Sequence, residues 1–421
     1  MYLSLSNIII LFVCAVGIYT TTLFYISFFD NSRRIKDPKP PKILPTVAIC
    51  VPFYNEKKGT IYSIESLLAL DYPAEKLQII AVDDGSSDNS YDIIKKYVKE
   101  KGYKNVIVLR HDKNKGKHEA VNTAIKHSDS DIFGVLDADS YVESDALMNM
   151  VGYFKNKEVV AVTPSMKVWP KGSILQRVQE VEYLLGVWLR KVFSYMDTIH
   201  VTPGPFSIFK RKFFNKYGIY RESHKTEDIE MALRIQSNNY RIENSINAHV
   251  YTSGPKKLKI LNKQRLRWYS GFIKNTLDYK HLFGKKYGNL GLVFLPLAYL
   301  SVFIVLGTLF YHLFKAIINS YDQVKVAILS NFDIFRWSFN FDTFFMNLGP
   351  VALLGIVSTL LLLVILYHTL IISKKRENTL FFSIICFIFI YYFLYAYWWL
   401  SSIFSVVTKK KVPWGHKSGS I

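Results

Sequence analysis

Four long segments of the chain contain no charged side chain. They are residues 1–29, 289–314, 347–373 and 378–408. Each is longer than the roughly 20 apolar residues that a helix needs to cross a bilayer core about 30 Å thick. The pattern therefore predicts four transmembrane helices, with one before and three after a large region of mixed polarity.

In that region, short apolar runs alternate with segments whose apolar residues recur at helical spacing. The runs are residues 47–53, 77–82, 106–109 and 132–136, and the helical segments between them are residues 61–70, 91–101 and 119–126. Nearly continuous Val, Ile and Leu is typical of strands that are buried on both faces, as in a parallel sheet covered by helices. We therefore expect an α/β, Rossmann-like domain with a mostly parallel sheet.

The predicted organisation has five parts. They are an N-terminal transmembrane helix (1–29), a basic Pro-rich linker (30–46), an α/β domain with interfacial helices (47–288), a C-terminal region of three spans (289–408) and a basic tail (409–421). Two further segments are expected at the membrane interface. Residues 173–196 predict an amphipathic helix that either packs on the domain or lies in the interface, and the aromatic segment 331–346 is a second interfacial candidate.

Basic residues flank the hydrophobic segments and indicate their orientation. Arg33, Arg34 and Lys36 follow the first segment, whereas no basic residue precedes it. This favours a retained anchor over a cleaved signal peptide and places the following domain in the cytoplasm of a multi-pass plasma-membrane protein. Basic clusters at 374–376 and 409–411 lie on opposite sides of the last span, so a re-entrant segment or a fifth crossing is also open.

The net charge of +20 changes the list of expected partners. Basic charge suits anionic membrane lipids and a nucleotide-sugar substrate, and the sequence contains no recognisable nucleic-acid-binding module. We therefore expect no nucleic-acid partner. The three cysteines have no paired spacing, which argues against a disulfide framework and against a zinc site.

Polar residues follow three of the predicted strands. Tyr54 and Glu56 come after the first strand, Asp83-Asp84 after the second, and Asp137-Ala-Asp139 after the strand that ends at residue 136. In open α/β sheets, ligands bind beyond the carboxyl ends of the strands, so these clusters are expected at one edge. Carboxylate oxygens suit Mg²⁺ or Mn²⁺ that bridges to a diphosphate, although each cluster alone is equally compatible with a solvated turn.

Two further clusters lie later in the chain. Glu227 and Asp228 precede an apparent helix at 229–236, where they could cap the helix or supply a general base. Gln264, Arg267 and Trp268 fall at i, i+3 and i+4 on one helix face. The guanidinium could stabilise a diphosphate and the indole could stack on a sugar, or this basic face could instead contact lipid headgroups.

The motifs taken together resemble the processive membrane synthases of glycosyltransferase family 2, which have the GT-A fold. This group makes cellulose, chitin, hyaluronan and poly-N-acetylglucosamine. The resemblance covers residues 47–271 by motif and the flanking spans by architecture. It implies a membrane-bound, inverting, metal-dependent hexosyltransferase that moves a sugar, N-acetylglucosamine or glucose, from a UDP-sugar to a growing polysaccharide, coupled to export.

The resemblance also assigns roles to individual residues. Asp228 matches the catalytic base of the T-E-D motif, and Asp139 matches the metal ligand of the D-x-D motif. The residues implied in substrate binding are Pro52, Tyr54, Glu56, Asp83, Asp84, Lys117, Asp137, Glu227, Gln264, Arg267 and Trp268. The turn Pro203-Gly204-Pro205-Phe206 departs from the Gly-rich turn of many relatives, so the acceptor, a glycan or a lipid-linked group, stays open.

Two other functions fit part of the pattern. An enzyme that adds one sugar to a polyprenyl-phosphate or another lipid acceptor would share the acids and the spans. A non-catalytic nucleotide-sugar sensor or membrane scaffold would not need acids at every motif. Because four spans are few for a pore, an accessory membrane subunit or a homo-oligomer is expected beside the UDP-sugar, the acceptor and membrane lipids.

Overall fold

The computed structural model describes residues 5–169, 172–329, 350–372 and 380–410. The described residues form two compact units. One unit takes its residues from Met1–Ile26 and Leu295–Tyr367, and the other from Ser27–Phe294 and His368–Ile421. The interfacial candidate at 331–346 and the basic cluster at 374–376 lie outside the described residues, as does Lys411 of the second basic cluster.

An eight-stranded sheet forms the framework of the second unit. The strands are β1 (Val47–Phe53), β2 (Leu77–Asp83), β3 (Val106–Arg110), β4 (Ile132–Val135), β5 (Ser140–Val142), β6 (Val159–Val168), β7 (Ser207–Lys210) and β8 (Arg241–Thr252). Their order is β3-β2-β1-β4-β7-β6-β8-β5. The first four are parallel to one another, as predicted, whereas β7 is antiparallel to both β4 and β6.

Helices cover both faces of the sheet. They are α2 (Lys58–Leu68), α3 (Ser90–Lys101), α4 (Lys117–Lys126), α5 (Ala146–Val151), α6 (Ile174–Tyr195), α7 (Arg211–Tyr217), α8 (Glu227–Ser237) and α9 (Leu258–Asp278). Side chains of β1 alternate between two apolar clusters. Ile49 packs in one with Ile64 of α2, and Cys50 in the other with Ala124 of α4. Burial on both faces explains why this strand is apolar at every position.

Four helices have the length and composition to cross a membrane. They are α1 (Leu5–Asp30), α10 (Leu295–Leu329, preceded by a π-helical turn at Leu290–Phe294), α11 (Pro350–Ile372) and α12 (Leu380–Val407). They coincide with the four uncharged segments of the sequence. In the first unit, the hydroxyls of Ser6 and Tyr311 are hydrogen-bonded.

The amphipathic segment at 173–196 forms α6, which packs on the domain. Ser173 begins it with a capping box, because Gln176 N donates to Ser173 Oγ at 3.2 Å and Ser173 N donates to Gln176 Oε1 at 3.1 Å. One face of α6 lies on β6 and β8. Val178 of α6 also packs with Leu261 of α9 and Trp398 of α12. The last hydrophobic helix is therefore seated directly on two helices of the α/β domain.

Candidate active site

The loops that follow β1 and β2 are hydrogen-bonded to each other. Asn55 adopts a positive φ of 53°, which turns the chain sharply after β1. Its backbone N donates to Ser86 Oγ, and Ser87 N donates to Asn55 Oδ1, both at 2.9 Å. The neighbouring Tyr54 side chain is 46% exposed. Glu56 accepts a hydrogen bond from Gly59 N, in the first turn of α2, at 3.3 Å. The strand ends are thus brought to one edge, as predicted.

Asp83 and Asp84 are both buried and both hold loops in place. Asp83 Oδ1 accepts hydrogen bonds from the backbone and the hydroxyl of Ser86, and its Oδ2 lies 3.3 Å from Arg110 Nε. Asp84 accepts from the backbone amides of the loop before α4, namely Lys115 N at 3.0 Å and Gly116 N at 2.8 Å. These acids hold the loops at this edge of the sheet in place. A direct contact of either acid with a nucleotide stays a prediction.

A lysine and three acids lie together at this edge of the sheet, and we call them the Lys117 centre. Lys117 Nζ lies 2.5 Å from Asp137 Oδ1 and 3.7 Å from Glu227 Oε1. Burial opposes its charge, but the attraction of Asp137, Glu227 and Asp228 outweighs burial and raises the pKa of Lys117. Lys117 is therefore a cation at neutral pH. The structure brings together residues from the end of β4 and the starts of α4 and α8, which are far apart in the sequence.

Gly204 closes this centre from one side. A Cβ atom at this position would lie 2.8 Å from Asp137 Oδ2 and 2.9 Å from Oδ1, and it would also collide with Lys117 Nζ. A side chain at this position would displace the ends of the Lys117 and Asp137 side chains, so glycine allows the Pro203–Phe206 turn to pass close to the undisturbed ion pair. The turn that departs from the family pattern therefore lies against two of the predicted substrate-binding residues.

Asp139 lies at the start of β5 in different surroundings. It accepts hydrogen bonds from Ser140 Oγ at 3.2 Å and from Ser253 Oγ at 3.0 Å. Among the described residues, no group of three or more His, Cys, Asp or Glu could hold a metal ion. Mg²⁺ and Mn²⁺ sites commonly use one or two carboxylates and take other ligands from phosphates and water. The donor set around Asp139 fits such an ion.

Asp228 occupies the first turn of α8. The helix begins at Glu227, two residues before the predicted start, so the expectation that both acids precede it was wrong. Thr226 makes no side-chain cap to the helix; its Oγ1 accepts a hydrogen bond from Asn275 Nδ2 of α9 at 2.8 Å. α8 is thereby fixed against α9, and Asp228 faces the Lys117 centre closely enough to raise the pKa of that lysine.

The pKa of Asp228 is raised to about 6. Although part of its surface reaches solvent, dense packing by protein atoms raises the pKa, and the charge of Glu227 raises it further. Arg267 and Lys117 act in the opposite direction. A carboxylate with a pKa near neutrality can accept a proton efficiently, as a general base requires.

Helix α9 presents three further predicted residues, Gln264, Arg267 and Trp268, whereas Pro52 lies within β1. Arg267 Nη1 donates to Lys225 O at 2.7 Å, and its charge reaches Asp228. Gln264 Oε1 is buried and accepts no hydrogen bond from the part of the chain that the structure describes. The Trp268 ring is partly exposed. The structure therefore places Arg267 near the proposed base and leaves part of the indole accessible.

One residue of α9 differs from the sequence interpretation. The sequence leaves open a basic face of this helix against lipid headgroups, but Arg265 does not belong to such a face, because its side chain is completely buried. Its Nη2 lies 2.5 Å from Glu182 Oε2 of α6. Neither Glu182 nor Trp398, which also lies near Arg265, was singled out in the sequence. The contact between Arg265 and Trp268 could have been expected from their i, i+3 spacing, which places both side chains on one helix face.

Comparison with known proteins identifies the family of this chain. The family model described as glycosyl transferase family 2 matches residues 48–218. A poly-β-1,6-N-acetyl-D-glucosamine synthase of Staphylococcus epidermidis is 29% identical over 331 residues, which cover 77% of this chain and 78% of that protein. A second synthase of this name from the same species is 31% identical over 301 residues, covering 70% of each chain.

The chain belongs to glycosyltransferase family 2. It is therefore a glycosyltransferase, and its long apolar helices make it a membrane protein. A similar solved structure is the mannosyltransferase PcManGT from Pyrobaculum calidifontis in complex with GDP-Man and Mn²⁺. It is 17% identical, covers 96% of this chain and 99% of its own, and has a TM-score of 0.60. This likeness confirms the predicted GT-A fold.

Proposed function

We propose that this family 2 glycosyltransferase transfers N-acetylglucosamine from a UDP-sugar to the non-reducing end of a growing polysaccharide. The likeness to poly-β-1,6-N-acetyl-D-glucosamine synthases over at least 70% of both chains carries this proposal. Glucose is the alternative sugar. Multi-pass insertion in the plasma membrane, with the α/β domain in the cytoplasm, is part of the proposal and follows from the basic residues after α1.

Asp228 acts as the base in this mechanism. It takes the proton of the acceptor hydroxyl, whose oxygen attacks the anomeric carbon from the face opposite UDP. The bond from that carbon to the diphosphate breaks, and its electron pair leaves with UDP. A pKa of about 6 leaves Asp228 mostly ionised at neutral pH and still basic enough to assist the attack. One displacement inverts the anomeric configuration.

The cations of the cleft would stabilise the leaving diphosphate. Lys117 is charged and central, and Arg267 projects from α9 towards the same region. Before substrate binds, Lys117 is paired with Asp137, and we propose that a diphosphate takes over part of that pairing. A bound Mg²⁺ or Mn²⁺ would supply further positive charge to the diphosphate, and in this proposal Asp139 would hold it.

Trp268 supplies a flat surface for the acceptor sugar at the membrane end of the cleft. Helix α12 packs on α6 and α9, and coupling of elongation to export through the membrane is part of the proposal. An accessory membrane subunit or a second copy of the chain would contribute the additional helices for such export. The acceptor is then the end of the glycan itself.

The test is a set of UDP-sugars supplied to purified membranes with Mg²⁺ or Mn²⁺. We expect UDP-N-acetylglucosamine to give a long polymer that a β-1,6-specific hydrolase degrades. A single labelled glycolipid would instead identify an enzyme that adds one sugar to a lipid carrier. Binding of UDP-sugar without turnover of any acceptor would contradict the catalytic proposal and favour a sensor.

A further inference from the structure

Arg265 is a buried cation at the junction of three helices. It belongs to α9, its carboxylate partner Glu182 belongs to α6, and Trp398 of α12 lies beside it. Burial opposes its charge, but the attraction of Glu182 outweighs burial and raises the pKa of Arg265. The Glu182 side chain is 18% exposed, whereas Arg265 is completely buried. Because the loss of hydration of Arg265 offsets much of the attraction between the two charges, such a pair adds little net stability. Its position therefore calls for a reason other than stability.

The guanidinium of Arg265 lies on the ring of Trp268. Its central carbon is 4.2 Å from the centre of that ring and 5.8 Å from the ring of Trp398. A planar guanidinium stacked on an indole is held by cation–π attraction, which is strongest where both groups are shielded from water. The cation restricts the rotation of Trp268 and covers one face of its ring.

Helix α12 is hydrogen-bonded to both helices that carry the ion pair, α9 and α6. Trp398 Nε1 donates to Asn262 Oδ1 at 2.8 Å, one turn before Arg265 on α9. Tyr395 OH donates to Glu182 Oε1 at 3.2 Å, while Glu182 Oε2 accepts from Arg265. Two side chains of the last hydrophobic helix thus contact the surroundings of Arg265, Tyr395 through its carboxylate partner and Trp398 through Asn262.

We infer that Arg265 is a positioning residue for the acceptor. Glu182 and Trp398 hold its guanidinium against one face of Trp268, so that the opposite face is presented to the sugar at the end of the glycan. This inference rests on the proposed function. It adds a physical link between the last membrane helix and the acceptor surface, because a shift of α12 moves Arg265 and with it the indole.

The test uses a short β-1,6-linked N-acetylglucosamine oligosaccharide as primer. Removal of one charge would leave its partner buried and alone, so the main variant changes both, as E182Q together with R265M. We expect the Michaelis constant for the primer to rise about tenfold, while that for the UDP-sugar changes less than about twofold. The polymer should become shorter, and the affinity for UDP should stay as in the wild type.

Two more variants separate positioning from general stability. R265K keeps the charge opposite Glu182 but lacks the planar group, so it should express normally and still bind primer weakly. W399F is the matched control, because Trp399 contacts Tyr269 and Phe272 rather than Arg265. It should keep the primer constant of the wild type.

The results can also contradict the inference. An unchanged Michaelis constant for the primer in both the double variant and R265K would overturn the inference. An equal rise in the Michaelis constants for the UDP-sugar and for the primer would also overturn it. If the wild-type protein makes no polymer from any UDP-sugar, the proposed function fails first. A wild-type polymer with no effect of the variants would remove only the role of Arg265.

Discussion

Transfer by this enzyme should depend on pH through Asp228. Its pKa of about 6 means that about nine-tenths of the carboxyl is ionised at pH 7 and about one-tenth at pH 5. Only the ionised form can take the proton of the acceptor. We therefore expect kcat/KM for transfer to fall about tenfold between these pH values.

The neighbours of Asp228 determine the pH at which kcat/KM falls. Glu227 raises the pKa of Asp228 because its negative charge disfavours a second one nearby. Glu227→Gln should therefore move the fall in rate to lower pH. Asp228→Asn removes the base, so transfer should drop about 10²–10⁴-fold at neutral pH while UDP-sugar still binds.

The assay is the initial rate of UDP release in the presence of primer, from about pH 4.5 to about pH 8. Binding of UDP-sugar to Asp228→Asn across the same range is the control, because that variant should not turn over. The reasoning is refuted if Glu227→Gln leaves the pH profile unchanged. It is equally refuted if Asp228→Asn retains the acid-side fall at a near-normal rate.

Three further results are expected. Asp139→Asn should lower the rate of transfer about a hundredfold and raise the Mn²⁺ concentration needed for half-maximal rate. A titration of the rate with Mn²⁺ measures this, and an unchanged titration would argue against Asp139 as the metal ligand. Gly204→Ala places a methyl group 2.8 Å from Asp137 and against Lys117. The Michaelis constant for UDP-sugar should therefore rise about tenfold while expression stays normal. Unchanged kinetics would show that the turn moves aside freely. Because the pKa of Asp228 is raised on folding, its ionisation costs stability above about pH 4, by at most about 3 kcal/mol once the pH exceeds 6. Asp228→Asn should therefore melt higher than the wild type at neutral pH but not at about pH 4.

The parallel half of the sheet could be predicted because its strands are buried on both faces. β1 and β2 are almost entirely apolar, so their position and type were evident from the sequence. The other half of the sheet, β5 to β8, was not predicted; it is mixed, because β8 runs parallel to β6 and antiparallel to β5. β8 contains Glu243, Asn244 and Ser245, which are polar but buried, and its strand character comes from pairing with β6 rather than from its own pattern.

Part of the candidate site could also be predicted. The acids appeared at strand ends because parallel strands deliver their carboxyl ends to one edge. The pairing of Lys117 with Asp137 and the burial of Arg265 could not be foreseen, because each depends on how separate helices pack. Arg265 is especially hard to interpret, since exposed lysines surround it in the sequence while Glu182 lies 83 residues away.

The configuration and stoichiometry of the product test the central claim most directly. The purified enzyme is incubated with UDP-N-acetylglucosamine, and the polymer is analysed by NMR while released UDP is counted. The account predicts β-linked residues and one UDP for each sugar added, because a single displacement inverts the α-linked donor. α-Linked residues, or release of UDP without incorporation of sugar, would contradict inverting transfer assisted by Asp228.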